Sequence, residues 1–308
     1  MIGTGPYDSL RDFMEAIEAH GHVIRIEAID QDAYELTGFM YKLIDKYGWL
    51  GAPSVIVEKV KISGEWVDGP IIINQYGMGA HEAMAVGVPL DEIEDGEHIL
   101  NYKKALSKMI EVGDITPIET TEIDKKDAPS KEVILKENEI NILDFPFIQT
   151  NPGDNGRFIN TGNLVTIDPE MGRNVGTYRM QIKGPRKIGI SPEKNQDGWK
   201  SLMNTEGDVA QAVVVLGTDP IVFAMSSSKT ARTEQDELEI AGGFKGKPIE
   251  VVKCENSDIL VPANVEMIIE GEIPLNDFEP EGPFGEMYGY ICLLYTSDAA
   301  DEEDSVDL

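Results

Sequence analysis

Bases, cysteines and histidines are all scarce in this chain. Its 26 lysines and arginines stand against 56 acids, a net charge of −30. Such an acidic balance argues against a nucleic-acid backbone or an anionic membrane surface as partner; a saline environment or a plain solvated surface accounts for it. Cysteine occurs twice and histidine four times. No apolar run approaches the roughly 20 residues of a membrane span, and the N-terminus lacks the charged and apolar regions of a signal peptide. A G-x-x-x-x-G-K-[ST] loop is missing, as is a G-x-G-x-x-G following a strand, so nucleotide hydrolysis and nicotinamide binding have no support.

What is present falls into two patterns. Leu10, Phe13, Met14 and Ile17 recur at helical spacing behind a capping Asp8 or Ser9, with Gly21 at the end. Strands are expected at 23–29, 54–60 and 71–75, a helix from Leu36 to Gly48, and another over 97–112. This alternation predicts a small N-terminal α/β domain over residues 1–118. The polar stretch 119–131 marks a boundary. Beyond it strands dominate, at 132–136, 163–167, 175–183, 212–216, 221–225, 249–254 and 265–273, with helical pieces near 200–203 and 234–241. Short strands at such intervals predict a barrel or sandwich.

Two segments carry chemistry. Glu279-Pro280-Glu281-Gly282-Pro283-Phe284-Gly285-Glu286 places two acids on either side of a turn whose path glycine and proline fix. Asn174-Val175-Gly176-Thr177-Tyr178-Arg179 offers a guanidinium able to grip a carboxylate in a planar, two-pronged way. An arginine set against two acids suits acid–base chemistry on a carboxylate substrate, one acid paired with the arginine and the other carrying a proton. Ser226-Ser227-Ser228-Lys229, read as following a strand, offers hydroxyls and backbone N–H groups for a phosphate.

The two segments, in this order and about a hundred residues apart, resemble the Glu-Arg-Glu constellation of the UbiD family of prenylated-flavin-dependent decarboxylases. The likeness extends to Ser9-Leu10-Arg11-Asp12-Phe13, to the stretch from Asn151-Pro152-Gly153 to Asn160-Thr161-Gly162, and to Asp236-Glu237-Leu238-Glu239-Ile240-Ala241-Gly242. It implies that residues 119–291 form a split β-barrel of flavin reductase-like type that binds prenylated FMN, a cofactor supplied by a flavin prenyltransferase. The implied reaction is reversible, non-oxidative decarboxylation of an aromatic or α,β-unsaturated carboxylic acid. Arg179 then binds the substrate carboxylate, Glu281 pairs with Arg179 and Glu286 donates the proton, with the roles of the two acids exchangeable. Thr161, Asn174, Ser227 and Ser228 become cofactor contacts. Asn174 and Glu237 become ligands of a divalent metal, Mn2+ or Mg2+, with K+ as an optional companion. Relatives place a histidine between those two ligands, near Asn195, and this chain has none there; Asn195, Gln196 or Asp197 is left to supply an oxygen. The alternative is a flavin-binding or assembly protein of the same fold without decarboxylase activity.

From Cys292 onward the family likeness stops, and Cys292-Leu293-Leu294-Tyr295-Thr296-Ser297-Asp298 resembles an in-frame translation of a sequencing-library adapter. Residues 292–308 are accordingly expected to be foreign to the fold, and a C-terminal domain found in relatives to be missing. Six acids lie in that tail, leaving 26 bases against 50 acids. Only Cys254 then remains, which cannot form an internal disulfide and fits a reducing cytoplasm. The resemblance further implies a homo-oligomer for the full-length protein and an inactive fragment here.

Overall fold

Ser9 starts the first helix, α1 (Leu10–Ala19), because its hydroxyl accepts the Asp12 N–H at 3.0 Å and satisfies one of the helix's orphan donors. The computed structural model describes residues 4–110, 115–228, 235–285 and 291–292 of the 308-residue chain. Leu10, Phe13, Met14 and Ile17 of α1 are buried together, as their spacing predicts. The strand expected at 23–29 is two pieces, β1 (Val23–Ile26) and β2 (Ile29–Asp30), separated by the exposed Glu27 and Ala28. Both pair in parallel with β3 (Ser54–Ile62). Helix α2 (Glu35–Tyr47) stops at Gly48, whose φ of +80° costs glycine nothing. Ser63 and Gly64, both at positive φ, turn β3 back into β4 (Glu65–Ile73), a longer partner than the sequence suggested. Helices α3 (Gly79–Ala85) and α4 (His98–Ile110) complete this part.

The second part contains β5 (Thr121–Glu122), β6 (Phe158–Asp168), β7 (Gly172–Gly184), β8 (Lys187–Ile190), α5 (Asp197–Asn204), β9 (Val209–Leu216), α6 (Pro220–Ser227), α7 (Glu237–Lys245), β10 (Glu250–Lys253), β11 (Leu260–Pro262), β12 (Met267–Pro274), β13 (Phe284–Gly285) and β14 (Ile291–Cys292). Five of these strands make one antiparallel sheet in the order β12-β9-β6-β7-β8. One face of that sheet, with Val165, Val175, Val213 and Val215, shares a core with Ile221 and Val222 of α6 and Leu238 and Ala241 of α7. The other buries Leu164, Tyr178, Met180, Ile182 and Val214. The chain is therefore a mixed α/β fold. Its two parts are packed together: Ala83, Val86, Val88 and Ala105 join the first of those cores, and the Lys245 ammonium, almost fully buried, donates to the Tyr7 carbonyl at 2.8 Å and to Asp219 at 3.0 Å.

Two expected strands are something else. Residues 132–136 form no strand, and Val133 is 73% exposed; the alternation there finds no sheet edge to pair with. Residues 221–225 lie inside helix α6. Asp219 accepts the N–H groups of Ile221 and Val222 at 2.9 and 3.1 Å, and Pro220 fills the first helical position. An apolar run of that length suits a buried helix as well as a strand, and here the cap decides.

Candidate functional site

Alternation along β7 sends Val175, Thr177, Arg179 and Gln181 to the sheet face that carries α6 and α7. Opposite Arg179, strand β6 is bulged. The pairs Ile159↔Met180 and Gly162↔Tyr178 enclose two residues of β6, Asn160 and Thr161, against Arg179 alone. A two-against-one bulge bends its strand and redirects side chains, and Asn160 and Thr161 are exposed there.

The Arg179 guanidinium meets the Glu281 carboxylate side-on. Nε lies 3.1 and 3.3 Å from the two oxygens and Nη2 lies 3.0 Å from Oε2. Glu281 is only 6% exposed, so the pair is largely shielded from water on the acid's side. Phe284 presents its ring 5.0 Å from the guanidinium carbon, and packs edge-on against Phe158. The turn carrying Glu281 is held by β7 and by the loop at 151–156. Gly282 N–H donates to Gln181 Oε1 at 3.1 Å, Asn155 N–H to the Pro283 carbonyl at 2.8 Å, and Gly285 N–H to Asp154 Oδ1 at 2.7 Å. A side chain on Gly282 would collide with Asn155 at its Cβ, so the turn requires glycine there; one on Gly285 would meet the tip of the Asn151 side chain. Glu286, the expected proton donor, lies outside the described residues, as do Lys229 and residues 293–308.

Ser226 and Ser227 occupy the last turn of α6 and Ser228 caps its C-terminus. The run therefore closes a helix and does not follow the expected strand end. Ser227 is exposed, and its hydroxyl lies 2.9 Å from that of Thr177, two residues before Arg179. Thr161, Thr177 and Ser227 thus bring hydroxyls to the same region as Arg179.

Asn174 and Glu237 come together at the other end of β7. They line one small cavity with Asp168, Arg173, Asp197 and Gln235. Glu237 accepts the Val175 N–H at 2.9 Å, and burial, with the charges of Asp236 and Asp197 behind it, pushes its carboxyl up to about 7. Arg173 pins α7 beside it by donating to Asp236 at 2.8 Å. The Asn174 Nδ2 is buried near the Tyr178 hydroxyl without a well-formed hydrogen bond; with the amide turned, an oxygen takes that place. Of the three residues expected to replace the relatives' histidine, Asp197 lines the cavity; Asn195 and Gln196 do not. This is a hard-oxygen donor set of the kind that Mn2+ or Mg2+ accepts. Among the described residues, however, no three His, Cys, Asp or Glu side chains converge on one point. Five residue steps of extended strand lead from Asn174 to Arg179, a span of about 17 Å. Asn163, Thr177, Gln181 and Asp154 escaped sequence reasoning, because isolated polar residues in strands and loops carry no periodic signal. No described helix is long and apolar enough to cross a membrane.

Residues 121–298 match the family model described as UbiD, 3-octaprenyl-4-hydroxybenzoate carboxy-lyase Rift-related domain. The chain is 28% identical over 296 residues to the phenolic acid decarboxylase of Escherichia coli O157:H7, covering 92% of this chain and 58% of that protein. Among solved structures, it resembles an evolved dimeric form of the UbiD-class enzyme HmfF from Pelotomaculum thermopropionicum in complex with prFMN (TM-score 0.77, 29% identity, 94% of this chain and 63% of the other). It also resembles the closed form of Sedimentibacter hydroxybenzoicus vanillic acid decarboxylase (TM-score 0.81, 27% identity, 94% and 60%). The chain thus spans about three fifths of the length of these relatives.

Proposed function

Because this chain belongs to the UbiD family of carboxy-lyases, we propose that it forms the flavin-binding part of a decarboxylase for aromatic or α,β-unsaturated carboxylic acids. The observation that carries this reading is the side-on Arg179–Glu281 pair, set beside the hydroxyls of Thr177 and Ser227 on one sheet face. A relative of similar fold is described with prFMN, and we assign prenylated FMN to this face. The five-stranded sheet is then one wall of a split barrel. Thr161, Ser227 and Ser228 would contact the cofactor, and Asn174 and Glu237 would hold a divalent cation such as Mn2+, which would supply positive charge to offset that of a phosphate.

Bound there, the cofactor supplies the electron sink that removal of CO2 from an sp2 carbon needs. The chain's residues bind and orient. Glu281 takes the Nε/Nη2 edge of Arg179 and so fixes the direction of the guanidinium, which grips the substrate carboxylate. Phe284 and Phe158 form an apolar wall that keeps water from the reacting carbon. Glu286 follows Gly285 directly and is assigned the proton that replaces CO2. The whole protein is read as a homo-oligomer whose cofactor a flavin prenyltransferase supplies.

Incubation of the chain with prenylated FMN and Mn2+, followed by gel filtration, tests cofactor binding through flavin absorption in the protein fraction. CO2 release from a panel of cinnamic and hydroxybenzoic acids by the whole protein tests the reaction. Retention of the flavin without turnover of any acid in that panel would favour the non-catalytic alternative.

A further inference from the structure

Behind Ser227 lies a buried hydrogen-bond network whose proton directions can be counted. Asn163 is fully buried in β6. Its Nδ2 donates to Thr177 Oγ1 and to Ser226 Oγ, both at 2.7 Å. Its Oδ1 accepts from Thr218 Oγ1 at 3.2 Å. Ser226 donates its one proton to the Phe223 carbonyl at 2.9 Å, and a carbonyl can only accept. The amide orientation of Asn163 follows, since Ser226 has no second proton to give it. Thr177 is left with one proton and two claimants, Ser226 at 3.0 Å and Ser227 at 2.9 Å.

The exposed end of the network therefore has two polarities. With Thr177 donating to Ser227, the Ser227 proton points outward. With Thr177 donating to Ser226, Ser227 must donate inward and shows only lone pairs to the site. By spending both amide protons on Thr177 and Ser226, Asn163 leaves the Thr177 proton available to Ser227. We propose that Asn163 is a positioning residue that sets this polarity, so that Ser227 donates a hydrogen bond to an acceptor oxygen of the bound flavin nucleotide. This rests on the flavin-binding reading above, and deepens it from a list of contacts to a direction of donation.

The test uses two substitutions with opposite expected signs, titrated with FMN and, in parallel, riboflavin, by quenching of flavin fluorescence. In Asn163→Asp the introduced carboxylate accepts from Thr177, which forces Ser227 to donate inward; FMN should bind about tenfold more weakly. In Ser226→Ala the competing claimant is gone and the Thr177 proton commits to Ser227; FMN should bind equally or up to about threefold more tightly. A loss seen with both ligands locates the acceptor on the ring or ribityl chain, and a loss with FMN alone locates it on the phosphate. Thermal midpoints are recorded throughout. Weaker binding in both variants, in step with falling midpoints, would reduce the network to packing and overturn the proposal. So would equal affinity of the unmutated and Asn163→Asp chains. If Asn163→Asp does not fold, Ser226→Ala decides: equal or tighter FMN binding supports the proposal and weaker binding overturns it. Failure of the unmutated chain to bind FMN would instead overturn the flavin reading itself, and this proposal with it.

Discussion

Asp154 accepts the Gly285 backbone N–H at 2.7 Å through one carboxylate oxygen and the Asn151 N–H at 2.7 Å through the other. One buried acid thereby ties its own loop to the turn that carries Glu281 and leads into Glu286. Charge-assisted bonds to backbone N–H groups are among the stronger polar contacts in proteins. An amide side chain can accept at only one of the two positions and turns a donor toward the other. Asp154→Asn should therefore cost about 1–3 kcal/mol in urea unfolding. Hydrogen exchange at the Gly285 amide should accelerate by more than that of the core strands. Unchanged exchange at Gly285 would mean that the turn is held without Asp154.

Arg179→Lys removes the planar fork while keeping the charge. A lysine can still neutralise Glu281, but it cannot hold one carboxylate side-on and direct a second edge at another. In the whole protein the expected result is a loss of decarboxylation by about 10²-fold or more, with the flavin still bound. Near-native turnover in that variant would remove the arginine from the proposed mechanism.

The metal assignment makes a separable prediction. Glu237 carries a carboxyl raised by burial beside two other acids, an arrangement that a divalent cation relieves. Titration of the chain with Mn2+ followed by electron paramagnetic resonance should show a bound fraction that EDTA removes. Asp197→Ala should weaken binding by about tenfold, as expected for loss of one ligand or its support, and Asn195→Ala should leave it unchanged. The opposite ranking would mean that the substitute for the relatives' histidine is Asn195 after all.

The legible parts of this chain were those with a local signal. The face of α1, the glycine stop of α2 and the apolar alternation of β7 and β9 each leave a periodic trace that burial then obeys. Residues 221–225 misled because a short apolar run fits either a buried strand or a buried helix, and the deciding cap, Asp219, stands outside the run. Within the candidate site, Arg179 and Glu281 were visible through resemblance to a family. The bulge opposite Arg179, the Asp154 clasp and the Asn163 network depend on contacts between residues up to 131 positions apart. Such contacts exist only once the sheet is assembled.

Acid should loosen the N-terminal part before the sheet, and the cause is its histidines. His81 is fully buried, with Nδ1 3.4 Å from Ser54 Oγ and Nε2 without a partner. The His22 ring lies 5.4 Å away, between His20 and His81, with its own Nδ1 unpartnered. Burial and then the neighbouring His22 hold the His81 imidazole down to about 3; the Gln75 carbonyl opposes them, and His98 adds a smaller push downward. His22 is lowered too, by burial first and then by His20 and His98, against the pull of Asp95. A base whose folded pKa is depressed stays neutral in the fold while the unfolded chain takes up protons below about pH 6.5. The stability linked to His81 is therefore intact above that pH and is lost progressively as the pH falls from about 6.5 toward 3. At pH 5 the loss from this group should reach about 2 kcal/mol relative to pH 7.5. Urea midpoints measured at the two pH values check it, with His81→Gln as the variant in which the difference should shrink. A variant retaining the whole pH dependence would move the acid sensitivity from His81 to other groups.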